Sequence, residues 1–375
     1  MNPRERQLEA LSFGNPDRIP LIPGYGRRST LDTWRLQGLP SEVKDYTEYA
    51  YRLAGGTLPM EKNHVHFSIN ERMEPQFEEK VIERRKRSLV VQDWKGNICE
   101  ISDEFSTEYL RHAIDFVTRR WIKCPVETRA DWNDMMRRYD SRAEDRLPEK
   151  TEELVETLKD RTGFLEFRFS GPFWQVREWV GFEKLCMLFY DDPLFLDEMI
   201  SFWCDHVSVL LERAFEIVTP DSVHLSEDMA YKGFSMVSPS MVRKHLLPVW
   251  KKWGEIIRRA GVPLYSMDSD GFIGELIPLW IEAGINVCDP IEVAAGNDIV
   301  QFRREFGRDM AYFGGVDKRA MAKGGAVLKA EIERIRPVVE DGGFIPSCDH
   351  GIPADVSWND FVETTRLLAE ICGWL

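Results

Sequence analysis

Eight short apolar segments, each closing on a glycine, a proline or a polar side chain, constrain the fold of this chain more than any other feature. They run Ile19 to Gly24, His64 to Asn70, Phe164 to Gly171, Ser222 to Asp228, Val262 to Asp268, Ile285 to Pro290, Met310 to Gly315 and Gly343 to Cys348. Near-continuous apolar runs of this length suit parallel strands covered on both faces, because neither face then meets water. Periodicity alone does not separate them from buried helix fragments, so the intervening segments decide. Ser240 to Arg259, Gly274 to Ala283 and Val327 to Val338 carry apolar residues at three- and four-residue spacing, and Pro239 suits a helix entry. Strand alternates with helix from about residue 160 to the end, which predicts an α/β chain folded as a (β/α)₈ TIM barrel.

The 375 residues fit a single barrel domain over 1–375, with residues 71 to 160 as an insertion between its second and third strands. Inside that insertion, Ser88 to Ile101 reads as a hairpin turning at Lys95, Gly96 and Asn97. Arg129 to Arg161 is charged and helical in pattern. A hydrophobic content of 43% with twelve Trp supplies one large core. The net charge of −14, with Lys and Arg dispersed, leaves no basic footprint for nucleic acid. There is no run of eighteen apolar residues and no apolar leader segment, so the expectation is a soluble cytoplasmic protein with neither nucleic-acid nor membrane partners. Seven cysteines without a CxxC pair argue against a disulfide framework and against a zinc ribbon.

In a barrel, functional groups gather where the strands end. That rule selects Tyr25, Arg27 and Arg28 after the first segment, Asn70 after the second, and Glu227 and Asp228 after the fourth. It further selects Asp268 and Asp270, Asp289 and Glu292, Asp317, and finally Cys348, Asp349 and His350. Any one such acid is more often a turn or cap residue than a catalyst; the joint placement is what points to a site. Asp268 and Asp270 lie two apart, as do Cys348 and His350, so a continuing strand would turn each pair to one face. Asp268, Asp270 and Cys348 form a candidate zinc set, and a metal-free hydrogen-bonded network is the competing reading. His350, Asp228 and Glu227 are the candidate catalytic groups. Tyr25, Arg27, Arg28, Asn70, Phe173 and Met229 are the candidate substrate contacts, and His224, mid-strand, reads as a structural histidine.

Four stretches carry a resemblance. NPRERQLEALSFGNPDRIPLIPG near the start, Ser170 to Pro193, Phe313 to Met321 and Gly343 to Asp360 resemble, in order and spacing, segments of the uroporphyrinogen decarboxylase superfamily. The resemblance implies a TIM barrel carrying either metal-free decarboxylation or zinc-dependent methyl transfer with a corrinoid protein. The decarboxylase's arginine-rich motif after strand one is replaced by Tyr25 to Trp34, and its pyrrole-binding Asp falls on or near Asn70. The methyltransferase's zinc ligands fall on Asp268, Asp270 and Cys348, of which only the cysteine is retained. The branch implied is therefore a methyltransferase moving a methyl group between a small substrate, such as an aryl methyl ether, and a corrinoid (cobalamin) on a separate protein. A metal-free decarboxylase or lyase and a non-catalytic ligand-binding barrel are the alternatives. The chain has no corrinoid-binding D-x-H-x-x-G signature of its own.

Overall fold

The computed structural model describes residues 1–60, 64–112 and 119–375. Its strands, in chain order, are β1 (His64–Val65), β2 (Lys80–Arg85), β3 (Ser88–Gln92), β4 (Ile98–Ser102), β5 (Arg120–Lys123), β6 (Phe164–Ser170) and β7 (Ser222–Ser226). They continue with β8 (Ala230–Tyr231), β9 (Phe234–Ser235), β10 (Leu264–Asp268), β11 (Val287–Asp289), β12 (Ala311–Val316) and β13 (Phe344–Cys348). Seven of them form one parallel sheet in the order β1-β6-β7-β10-β11-β12-β13. These are seven of the eight segments that the sequence marks, in sequence order, with helices between them.

The sheet curls. Phe164 on β6 shares an apolar cluster with Leu264, Val287, Ala311 and, on the far edge strand, Ile345, and the helix Pro3–Leu11 inserts Ala10 and Leu11 into the same cluster. Inward side chains from both ends of the sheet can meet only if the sheet bends round them. The result is a barrel-like floor plugged by the first helix.

The first segment departs from expectation. Ile19 to Gly24 forms no ladder; it touches the β13 edge through Cys348 N–H to Pro23 O at 3.1 Å, and one isolated bridge joins Gly26 to Ile352. Pro20 and Pro23 explain this, since neither has an N–H to give a ladder. The described residues therefore show a curled seven-stranded sheet rather than a closed eight-stranded barrel.

The insertion contains the expected hairpin. β3 and β4 pair antiparallel in register Ser88↔Ser102 to Gln92↔Ile98, and Asp93 and Asn97 close the turn. β2 and β5 widen it to a four-stranded sheet. The helices Arg129–Met136 and Glu152–Lys159 follow.

One buried carboxylate pins the floor. Asp221, 1% exposed, accepts from Arg4 Nε at 2.8 Å, Arg161 Nη2 at 3.1 Å and Leu165 N–H at 2.9 Å, joining the first helix to β6 and to the entry of β7. Asp221→Asn keeps the shape and removes the charge, while Arg161 stays buried. The expected loss is about 2 kcal/mol of unfolding free energy in a denaturant titration, the scale of a hydrogen bond to a charged group. An unchanged midpoint would contradict it.

Candidate active site at the strand ends

The strands present a polar ladder to the inside of the curl. Glu166, Arg168 and Ser170 on β6 stand level with Ser222, His224 and Ser226 on β7, and the last two stand level with Ser266 and Asp268 on β10. Asp268 is in turn level with Asp289 on β11. In parallel strands, residues level with one another point to the same face, so these groups share the concave side above the apolar floor.

Asp268 and Asp289 form the deeper half of the site. His224 Nε2 lies 4.0 Å from Asp268 Oδ2, and Nδ1 lies 3.8 Å from Asp289 Oδ1 and 2.9 Å from Ser266 Oγ. Burial and the neighbouring carboxylates Asp270 and Asp228 push Asp268 up to about 7, and burial with Asp268 beside it raises Asp289 well above the usual carboxylate range. Burial lowers His224 to about 4, so its ring is neutral at physiological pH.

The rim is built on Asp270 and His350. β10 ends at Asp268, and beyond it Asp270 reaches His350, whose Nε2 lies 3.2 Å from Asp270 Oδ2. Arg27 Nη2 reaches His350 Nδ1 at 3.2 Å. A guanidinium can only donate, so Nδ1 carries the lone pair and the neutral ring holds its proton on Nε2, facing Asp270. The hydrogen bond to Asp270 raises the His350 pKa above its ordinary value, against the opposing effect of burial. Tyr25 packs with Arg27 over Gly351, and the burial of its hydroxyl, then the charges of Asp270 and Asp268, raise its phenol pKa.

Asp228, in a left-handed conformation at φ 47°, holds Arg177 by its carboxylate at 3.2 Å and by its carbonyl at 3.0 Å. Glu227 is fully buried and caps the helix Pro172–Val180: its Oε2 accepts Trp174 N–H at 3.0 Å and its Oε1 accepts Trp250 Nε1–H at 2.8 Å. Gly171 offers that helix no side-chain cap, and a methyl there would meet the Glu227 carboxyl.

The structure thus gathers Asp268, Asp270, Asp228, His350, Arg27 and Tyr25 at one end of the sheet. Phe173 and Met229 lie in the main core, 1% and 0% exposed, and Arg28 is exposed at the start of the helix Arg28–Leu36. Asn70 turns its side chain back to Arg72 N–H. The carboxylate at that strand end belongs instead to Glu71, which accepts from Ser170 N–H and Oγ–H. Sequence reasoning passed over Glu71, as it did Arg177 and Lys318, which pairs with Glu292 at 2.9 Å.

Asp268, Asp270 and Cys348 do not combine as metal ligands. Among the described residues, no group of three or more His, Cys, Asp or Glu side chains is placed to hold a metal ion. Cys348 is 4% exposed, and the register that sets Ser347 level with Gly315 on the concave side turns Cys348 to the outer face of the sheet, away from Asp268. The three residues do not fit zinc.

Fold and site define a barrel-like α/β protein whose strand ends open on carboxylates, a histidine and arginines. Searches with the chain found no matching family model and no matching curated protein. Among solved structures, a methyltransferase from Methanosarcina mazei is similar over 100% of this chain and 98% of its own length, at 11% identity and a TM-score of 0.56. A B12-independent methionine synthase from Shewanella is similar over 91% and 86%, at 10% identity and a TM-score of 0.43. The first likeness establishes a shared fold over the whole chain; the second is too distant to add to it. No described helix is long and apolar enough to cross a membrane.

Proposed function

We propose that this chain is a methyltransferase that takes a methyl group from a small methylated substrate bound at the strand ends and passes it to a corrinoid carried by a separate protein. The carrying observation is the Arg27–His350–Asp270 chain at the rim, 3.2 Å at each link, which holds an N–H at a defined atom where a leaving group would sit. The fold shared with a methyltransferase supports the same reading.

The chemistry asked of the residues is modest. The carbon–heteroatom bond breaks with its electron pair on the heteroatom, and the methyl carbon goes to the nucleophile that the partner presents. The heteroatom takes a proton from Nε2 of the imidazolium form of His350, in which Nδ1 is protonated and no longer accepts from Arg27; the ring is left neutral, and Asp270 favours its recharging. An aryl methyl ether belongs to this class, its phenolate being the group that needs the proton. No step runs through zinc, since the donors do not come together for it. A decarboxylase would bring substrate carboxylates against Asp228, Asp268, Asp270 and Asp289, an unfavourable encounter at short range.

The test is methyl transfer by the purified chain to reduced cobalamin from a panel of methyl ethers, thioethers and methylated amines, read by the cobalamin spectrum. Methylation from at least one class, above the rate without protein, is expected. A flat spectrum across the panel sinks the proposal.

A further inference from the structure

We propose that the inner half of the site, between Asp268, Asp289 and His224, binds an organic ammonium group, so that the substrate is a small methylated molecule with a cationic nitrogen seated below its reacting end. The substrate role rests on the methyl-transfer reading above; the binding site does not.

Two observations carry this independently. First, Asp268 and Asp289 are level on neighbouring strands of the concave face, and among the described residues no Lys or Arg comes within ion-pair distance of either. Other acids here have partners: Asp228 has Arg177, and Glu292 has Lys318. Arg168, whose charge reaches both, is itself paired with Glu166 at 2.7 Å, and two half-buried carboxyls so placed hold on to protons unless a bound cation lets both ionise. Second, His224 is 3% exposed and its Nε2, 4.0 Å from the Asp268 carboxylate, has no hydrogen-bond partner. A buried ring nitrogen without a partner is rare, and its lone pair or N–H faces the same space as the two carboxylates. A ligand there completes all three groups.

The chemistry of the space selects an organic cation. Among the described residues no three His, Cys, Asp or Glu side chains, these three included, are placed to hold a metal ion together, whereas an ammonium tolerates loose geometry and needs only negative charge and a place for its apolar substituents. Phe313, one residue beyond the Cys288–Tyr312 pair on β12, packs against the apolar floor beneath.

The test uses the whole chain, choline chloride, and choline's uncharged carbon analogue dimethylbutanol, compared by calorimetry at fixed ionic strength. Choline is expected to bind at least about tenfold more tightly than the neutral analogue. Asp289→Asn and Asp268→Asn should each abolish that preference while leaving the analogue's binding unchanged. The comparison on the unmodified chain stands even if a variant does not fold. Equal binding of the two probes, no choline binding, or displacement of choline by stoichiometric magnesium or zinc ions overturns the proposal. Charge-selective choline binding by a chain that transfers no methyl group would retain this site and remove the methyl-transfer reading. Methyl transfer from neutral ethers by a chain blind to choline would do the reverse.

Discussion

Methyl-transfer turnover is expected to fall by about 10²- to 10⁴-fold in His350→Ala, the range associated with loss of a positioned proton donor. Substrate affinity should change much less, because the ring acts on the leaving group rather than on the bulk of the substrate. Asp270→Asn probes the same link from the other side. The hydrogen bond to Asp270 is the largest cause of the raised His350 pKa, so an amide there should lower it. The charges around the ring are Arg27 and Lys318, which oppose its protonation, and Asp270 and Glu292, which favour it. With an acid-requiring step, activity holds at low pH and declines as pH rises through the His350 pKa. In Asp270→Asn that decline should begin at lower pH. A pH–rate profile that does not move, or moves upward, contradicts the assignment of His350 as donor.

Chain period and turn chemistry account for most of the structure that is legible in the sequence. Seven strands and the Ser88–Ile101 hairpin are set by local pattern, and the structure contains them. The failure at Ile19 to Gly24 has a visible cause as well: two prolines remove ladder donors, and reading the segment for hydrophobicity alone ignored them. The polar ladder inside the curl was also written in the sequence. FLEFRFS alternates strictly from Leu165 on, with Glu166, Arg168 and Ser170 to one side, and SVHLS does the same with Ser222, His224 and Ser226. Treating both as continuous apolar runs hid the face on which those residues lie; His224 is buried, as a mid-strand histidine is expected to be, and its place beside Asp268 and Asp289 shows only in the folded chain. Other members of the site had no local signal. Arg177 sits inside a helix, one turn and more beyond any strand end, and only folding brings it to Asp228. Glu71 lies one residue past the position that strand-end logic chose. Asp268 and Asp270 share a spacing that predicts a common face only while the strand continues; it stops at Asp268, and the pair divides between an inner partner and a rim partner.

The same tertiary dependence governs Glu227, which strand-end logic marked as a catalytic candidate. Its carboxylate is occupied by the Trp174 amide and the Trp250 indole, tying the end of β7 to the helix Pro172–Val180 and to the helix Leu247–Arg259. Glu227→Ala strands both donors in a water-free place and opens a cavity. The expected cost is about 3 to 5 kcal/mol of unfolding free energy, the upper range for a single substitution. The loss should depend on pH with a definite sign. Burial pushes Glu227 up to about 7 from an ordinary 4.5, against the hydrogen bonds from Trp174, Trp250 and Phe173 and the Arg177 charge, which favour the ionised form. A raised folded-state pKa means that the folded chain binds the proton more tightly than the unfolded one. The associated stability is fully present below the unfolded pKa and is lost as pH rises through the folded one. The interval corresponds to roughly 3 kcal/mol. Wild type should therefore lose stability between about pH 5 and pH 8 through this group while Glu227→Ala does not. The gap between the two chains, measured by denaturant titration across that range, should narrow toward the alkaline end. A gap that stays constant or widens would mean that Glu227 is ionised throughout, with its N–H donors and the helix terminus outweighing the burial of its charge.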